Sequence, residues 1–177
     1  MKNYIRLTMI ALFAIIVSAF SFIKPLEKTT KVRVTTVPSI NIKTLDGNTI
    51  NSKDIIRNGE PTLLVFWATC CAPCKKELTA ISKVYDSWQK KTGVNIVAVS
   101  VDLPQYANGV KPFVENNNWK YDVYLDVDRN LMHAMNANST PHSFLLNKKG
   151  DIVWEKQGFF DGDEVTIYNE ITKASTK

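Results

Sequence analysis

Cysteine is scarce in this chain, and its few copies are not spread out. There are three in 177 residues, all between Cys70 and Cys74. A small scaffold held by several bridges distributes its cysteines along the chain, so these three cannot frame the fold and are there for chemistry. Repeats, low-complexity tracts and charge blocks are also missing, which leaves one ordinary globular domain as the working organisation. Nor is charge of one sign concentrated. The net charge is +5, and setting aside Lys2 and Arg6 of the N-terminal segment leaves 20 basic against 17 acidic residues, net +3. So small and dispersed an excess describes a solvated surface and argues against nucleic acid as a partner.

Only the N-terminus carries a long uncharged run. Lys2 and Arg6 precede Leu7 to Ile23, 17 residues of mostly Leu, Ile, Ala, Phe and Val. This is the basic region and apolar core of an export signal, and the run also reaches the lower limit for a spanning helix. The sequence therefore predicts a signal peptide or membrane anchor at 1–23, a tether at 24–37 punctuated by Pro25 and Pro38, and a folded domain at 38–177. The expected location is outside the cytoplasmic membrane, periplasmic or anchored facing the periplasm. No cysteine closely follows the run, which argues against a lipid-modified N-terminal cysteine.

What organises the domain is Trp67-Ala68-Thr69-Cys70-Cys71-Ala72-Pro73-Cys74. Before it, Pro61 to Phe66 is an apolar run of strand length. After it, Leu78, Ile81, Val84, Tyr85 and Trp88 recur at the three- and four-residue spacing of a helix with one buried face. A strand thus delivers Cys71 to a helix N-terminus, where unpaired N–H groups and the helix dipole stabilise a thiolate and lower its pKa. Cys74, three residues on, shares that helical face and lies within reach of a disulfide. Pro73 suits the first turn, where its missing N–H costs nothing.

The remaining elements follow from pattern. Ser39 to Lys43, the Asp46-Gly47 turn and Thr49-Ile50 predict a small antiparallel hairpin. A short helix capped by Ser52 and ended at Asn58-Gly59 is expected next. Val94 to Val101 reads as a buried strand, parallel to the first through the helix. A helix around Val110, Phe113 and Val114, a strand over Tyr121 to Leu125 and helical turns over Leu131 to Met135 come next. Ser143 to Leu146, the Asn147-Lys148-Lys149-Gly150 turn and Asp151 to Trp154 read as an antiparallel edge hairpin. A last helix, Asp161 to Ala174, should pack through Val165, Ile167, Tyr168 and Ile171.

Taken together, Trp-x-x-x-Cys-x-x-Cys between strand and helix, and Thr140-Pro141 opening a late hairpin before a final helix, resemble the thioredoxin superfamily. Phe66 to Thr69, Pro73-Cys74-Lys75-Lys76-Glu77-Leu78 and the inserted helix and strand at about 103–125 are similar to its TlpA/ResA branch. The resemblance implies an α/β thioredoxin fold: a central mixed sheet flanked by helices, with an N-terminal β-hairpin and an inserted helix and strand. It implies an exported thiol-disulfide oxidoreductase with Cys71 attacking and Cys74 resolving, and no cofactor beyond the redox-active disulfide. It also implies a cis-Pro141 facing the cysteines, a Thr140 whose backbone pairs with substrate, and Trp67 beside the site. Two positions depart from the pattern. Cys70 stands where relatives usually have tryptophan, and Val65 where thioredoxin has its buried acid.

Glu77 is then a candidate to take the proton of Cys74, although its position also reads as a solvent-facing helix charge. Cys70 is read as a small filler in place of the tryptophan, or as a third redox thiol. His142 divides between loop surface and active-site rim, and His133 is a helix surface residue. The expected partners are disulfide-bearing proteins and a membrane thiol electron donor; apocytochrome c, an envelope protein or a general disulfide pool would all fit as substrate. Ala72-Pro73 supplies no histidine between the cysteines, which tilts the reading toward a reductant. Two alternatives use overlapping residues: a Sco-like copper site from Cys70, Cys74 and His142 or His133, and a thiol peroxidase, for which a threonine-and-arginine constellation is lacking.

Overall fold

The computed structural model describes residues 34–176. The expected signal or anchor at 1–23, and the first part of the expected tether, lie outside the described residues. The last tether residues join the folded unit: Thr36 bridges Asp151, the Ile152 N–H donates to the Thr35 carbonyl at 2.7 Å, and Val37 is buried.

The described chain forms β1 (Asn41–Thr44), β2 (Thr49–Asn51), β3 (Thr62–Trp67), α1 (Ala72–Thr92), β4 (Asn95–Ser100), α2 (Pro104–Ala107), α3 (Val110–Asn116), β5 (Asp122–Leu125), α4 (Asn130–Ala134), β6 (His142–Leu146), β7 (Ile152–Gln157) and α5 (Asp163–Ser175). The strands make one mixed sheet in the order β2-β1-β5-β4-β3-β6-β7. Strand β3 runs parallel to β4 and antiparallel to β6, and β4 runs parallel to β5. The expected α/β thioredoxin architecture, with N-terminal hairpin and insertion, is thus present.

Both β3 and β4 are buried on both faces, which is why they read as continuous apolar runs and not as alternating ones. Leu63, Val65 and Trp67 face a core built with α1, α3 and α5; Leu64 and Phe66 face a second core with α4. Each fully buried aliphatic side chain contributes about 1.5–3 kcal/mol relative to leaving it in water. Helix α1 ends where Gly93 adopts φ 72° and donates its N–H to the Gln89 carbonyl.

Two expectations fail. Residues 52–58 form turns and not a helix, because the Ser52 hydroxyl is taken up elsewhere: it accepts the Ile40 N–H at 2.9 Å and donates to the Pro38 carbonyl. Val165 is 61% exposed, since the buried stripe of α5 runs through Ile167, Ile171 and Ala174 and position 165 falls on the opposite side.

Candidate functional site

The site sits at the C-terminal end of β3, where the chain leaves the sheet and turns into α1. Cys71 is the N-cap of that helix, and its Sγ accepts the Cys74 N–H at 3.2 Å. Cys71 and Cys74 are joined by a disulfide, with Cα atoms 5.3 Å apart. Cys71 is half-buried, whereas Cys74 is fully buried. No acidic residue occupies the first turn of α1, and Lys75 and Lys76 flank it, so local charge adds to the helix terminus in favouring a thiolate.

The approach loop is fastened by a residue that sequence reasoning missed. Asp102, 4% exposed at the end of β4, accepts the Thr69 N–H at 2.9 Å, the Thr69 hydroxyl at 2.7 Å and the Ser100 hydroxyl at 2.8 Å. The signal was an acid directly after a buried parallel strand, at the sheet end where sites form in open α/β sheets. Asp102→Ala would leave the Thr69 N–H without its acceptor. We expect it to lower the unfolding free energy by about 1–3 kcal/mol in chemical denaturation.

Immediately before β6, which pairs with β3 through His142 and Phe66, the Thr140-Pro141 peptide bond is cis, as expected. Thr140 is half-buried and Pro141 buried. The Pro141 carbonyl accepts the Gly158 N–H at 2.8 Å, which ties this loop to the segment leading into α5.

Glu77 does not face solvent. It is 1% exposed, one turn beyond Cys74 on the buried stripe of α1, and its Oε1 accepts the Ser143 hydroxyl at 2.7 Å while Oε2 lacks a hydrogen-bond partner. Burial raises its pKa from the ordinary 4.5 to about 7; the Ser143 bond and Lys156 work against that rise, and Asp163 adds to it. The periodicity was legible all along, since position 77 lies between 74 and 81 in one stripe, but a charged residue type argued for the surface.

Of the other candidates, Cys70 and His142 depart from their readings, while Trp67 packs beside the site and His133 lies on a helix surface as expected. Trp67 is fully buried against Phe113 and Trp119, at centroid distances of 5.6 and 5.0 Å, so it supports the loop from beneath and offers no substrate contact. Cys70 is exposed, so it does not fill a packed space. His142 belongs neither to the loop surface nor to the rim: it is 5% exposed, stacked on Phe144 at 4.5 Å, with Nε2 3.6 Å from Glu155. His133 is exposed on α4. Cys70, Cys74 and a histidine are therefore not brought together, and no cluster of three metal-ligating side chains occurs among the described residues.

Residues 34–155 match the AhpC/TSA family model. The chain belongs to the AhpC/TSA family. Within this thioredoxin-like family it is similar to Sporulation thiol-disulfide oxidoreductase A of Bacillus subtilis, 33% identical over 136 residues, covering 76% of this chain and 80% of that one. It is also 34% identical over 136 residues to Thiol-disulfide oxidoreductase ResA of the same organism, covering 77% and 73%. Among solved structures, an uncharacterized thioredoxin-like protein from Porphyromonas gingivalis superposes with a TM-score of 0.71 at 34% identity, covering 81% of this chain and 95% of that one. The chain is a thiol-disulfide oxidoreductase. The copper-site and peroxidase alternatives gain no support from these relatives.

Proposed function

We propose that the chain reduces protein disulfides outside the cytoplasmic membrane through the Cys71–Cys74 dithiol. The observation that carries this reading is the pairing of a half-buried Cys71 at a helix N-terminus with a fully buried Cys74 on the same buried helix stripe as Glu77.

The Cys71 thiolate attacks one sulfur of a substrate disulfide, a Cys71–substrate disulfide forms, and the second substrate sulfur leaves as a thiolate that takes up a proton. Cys74 gives its proton to the Glu77 carboxylate, and the resulting thiolate attacks the Cys71 sulfur. The Cys71–Cys74 bond forms and the first substrate sulfur leaves. Two electrons have passed to the substrate, and a dithiol donor, proposed to be a membrane protein, returns the pair to the reduced state. Thr140 and Pro141 are the proposed docking edge for an extended substrate segment. The basic and apolar N-terminal residues favour export, and labelling of Cys70 in intact cells by a reagent that does not cross the membrane decides that point.

The test of the reaction is reduction of insulin by the full chain with a dithiol as donor. Wild type should accelerate B-chain precipitation, and Cys71→Ser should return it to the uncatalysed rate. Equal rates for the two proteins would refute the assignment of the nucleophile.

A further inference from the structure

Ser143 and Lys156 are cross-strand partners on β6 and β7, so their side chains stand side by side on the sheet face that α1 covers. Ser143 donates to Glu77 on that face, and Lys156 pairs with Ser143 across the two strands. The ammonium donates to Asp163 Oδ2 at 2.6 Å and to the Gly158 carbonyl at 3.0 Å. Asp163 Oδ2 accepts a second bond, from the Phe160 N–H at 2.7 Å. The two side chains keep only 20% and 22% of their surface, and no other lysine or arginine ion pair among the described residues is so shielded on both sides. Charges shielded from water act on a buried neighbour with far less screening than surface pairs do.

We propose that Lys156 and Asp163 are positioning residues that act through Glu77: together they set the pH at which Glu77 can accept the Cys74 proton. The inference rests on Glu77 being the base for Cys74. Lys156 favours the carboxylate form of Glu77 and Asp163 opposes it, so the two halves of one ion pair pull the same group in opposite directions. Several elements contribute groups around Glu77. Ser143 comes from β6, Lys156 from β7, Asp163 from the start of α5, and Cys74 from its own helix. The Tyr121 phenol is itself pushed far upward by burial and by Glu77, and its hydroxyl is bonded to the Leu78 carbonyl at 3.1 Å, so it stays neutral. Among these, only Lys156 and Asp163 bring full charges that alter Glu77.

This arrangement makes opposite predictions for two single substitutions, which a purely structural role for the pair does not. The measurement is the second phase of reaction with an aromatic chromogenic disulfide, in which Cys74 expels the second chromogenic thiolate from the Cys71 adduct. It is followed against pH on the full chain carrying Cys70→Ser, so that only two thiols react. The parent should show an inflection near Glu77's pKa that Glu77→Gln removes. Lys156→Met should move the inflection to higher pH and Asp163→Asn to lower pH, each by about half a unit to one unit. Lys156→Arg should restore the parent profile. As a second readout, the carboxyl carbon of labelled Glu77 should titrate with the same opposed shifts in nuclear magnetic resonance spectra. If both variants leave the inflection in place, or both move it the same way, the ion pair does not tune the base and the inference fails while Glu77 keeps its role. If Glu77→Gln retains the parent inflection, the base itself is misassigned and both readings fall.

Discussion

Cys74→Ser, made in a Cys70→Ser background, should leave substrates covalently attached to Cys71. The first half of the reaction needs only the half-buried Cys71 at the N-cap of α1, and that residue is untouched. The second half needs a thiolate behind it, and a serine hydroxyl does not attack a disulfide under these conditions. Turnover should therefore fall to background while adducts accumulate. On non-reducing gels of cell extracts the variant should appear as a ladder that collapses on reduction, and mass spectrometry should locate the bond at Cys71. The Cys70→Ser, Cys71→Ser pair should give no ladder. A Cys74→Ser variant that turns over like wild type, or that traps nothing, would sink the two-step scheme.

Glu77→Gln should separate activity from stability. Removing a positioned base slows proton transfer by about 10²-fold or more, so the resolving step should slow by that order at pH 7–8. The defect should shrink as the pH approaches the ordinary thiol range near ~8.5, where hydroxide competes as base. Stability should move the other way. The Glu77 pKa rises from 4.5 in the unfolded chain to about 7 in the fold, so between those values the folded protein holds more protons than the unfolded one. Stability supplied by the protonated acid is complete below pH 4.5 and is lost as the pH climbs to 7, a total of about 3 kcal/mol. Glutamine does not titrate. The variant should therefore gain about 3 kcal/mol on wild type between pH 4.5 and pH 8, read as the difference between the two denaturation curves. A difference independent of pH would mean that Glu77 does not carry the raised pKa.

Much of this was legible in the residues. The continuous apolar run of β3, the stripe of α1 and the Asp46-Gly47 turn each reflect a local rule, and each survives in the fold. The Cys71–Cys74 pair and the cis-Pro141 came from spacing together with family resemblance. What was hidden depends on contacts between distant segments. Ser52 looked like a helix cap until Pro38 and Ile40 proved to hold it. Glu77 looked solvated because its charge outweighed its place in the α1 stripe, and only the fold brings Ser143, 66 residues away, to meet it inside. Asp102 likewise acquires its purpose only when β4 lies beside β3 and brings it to Thr69. Val165 failed for a simpler reason: an apolar residue type was given more weight than its angular position.

The unequal burial of the two sulfurs fixes the regiochemistry of every encounter. A bulky disulfide arriving from solvent meets one sulfur only, because Cys74 is wholly enclosed. The incoming and the outgoing partner must therefore use the same doorway, one after the other, whichever way electrons flow. Donor and acceptor never occupy the site together, and each competes with the other for it. Excess of either partner should thus block the half-reaction of the other, and below such inhibiting concentrations the kinetics should show two half-reactions with parallel-line behaviour and no ternary complex.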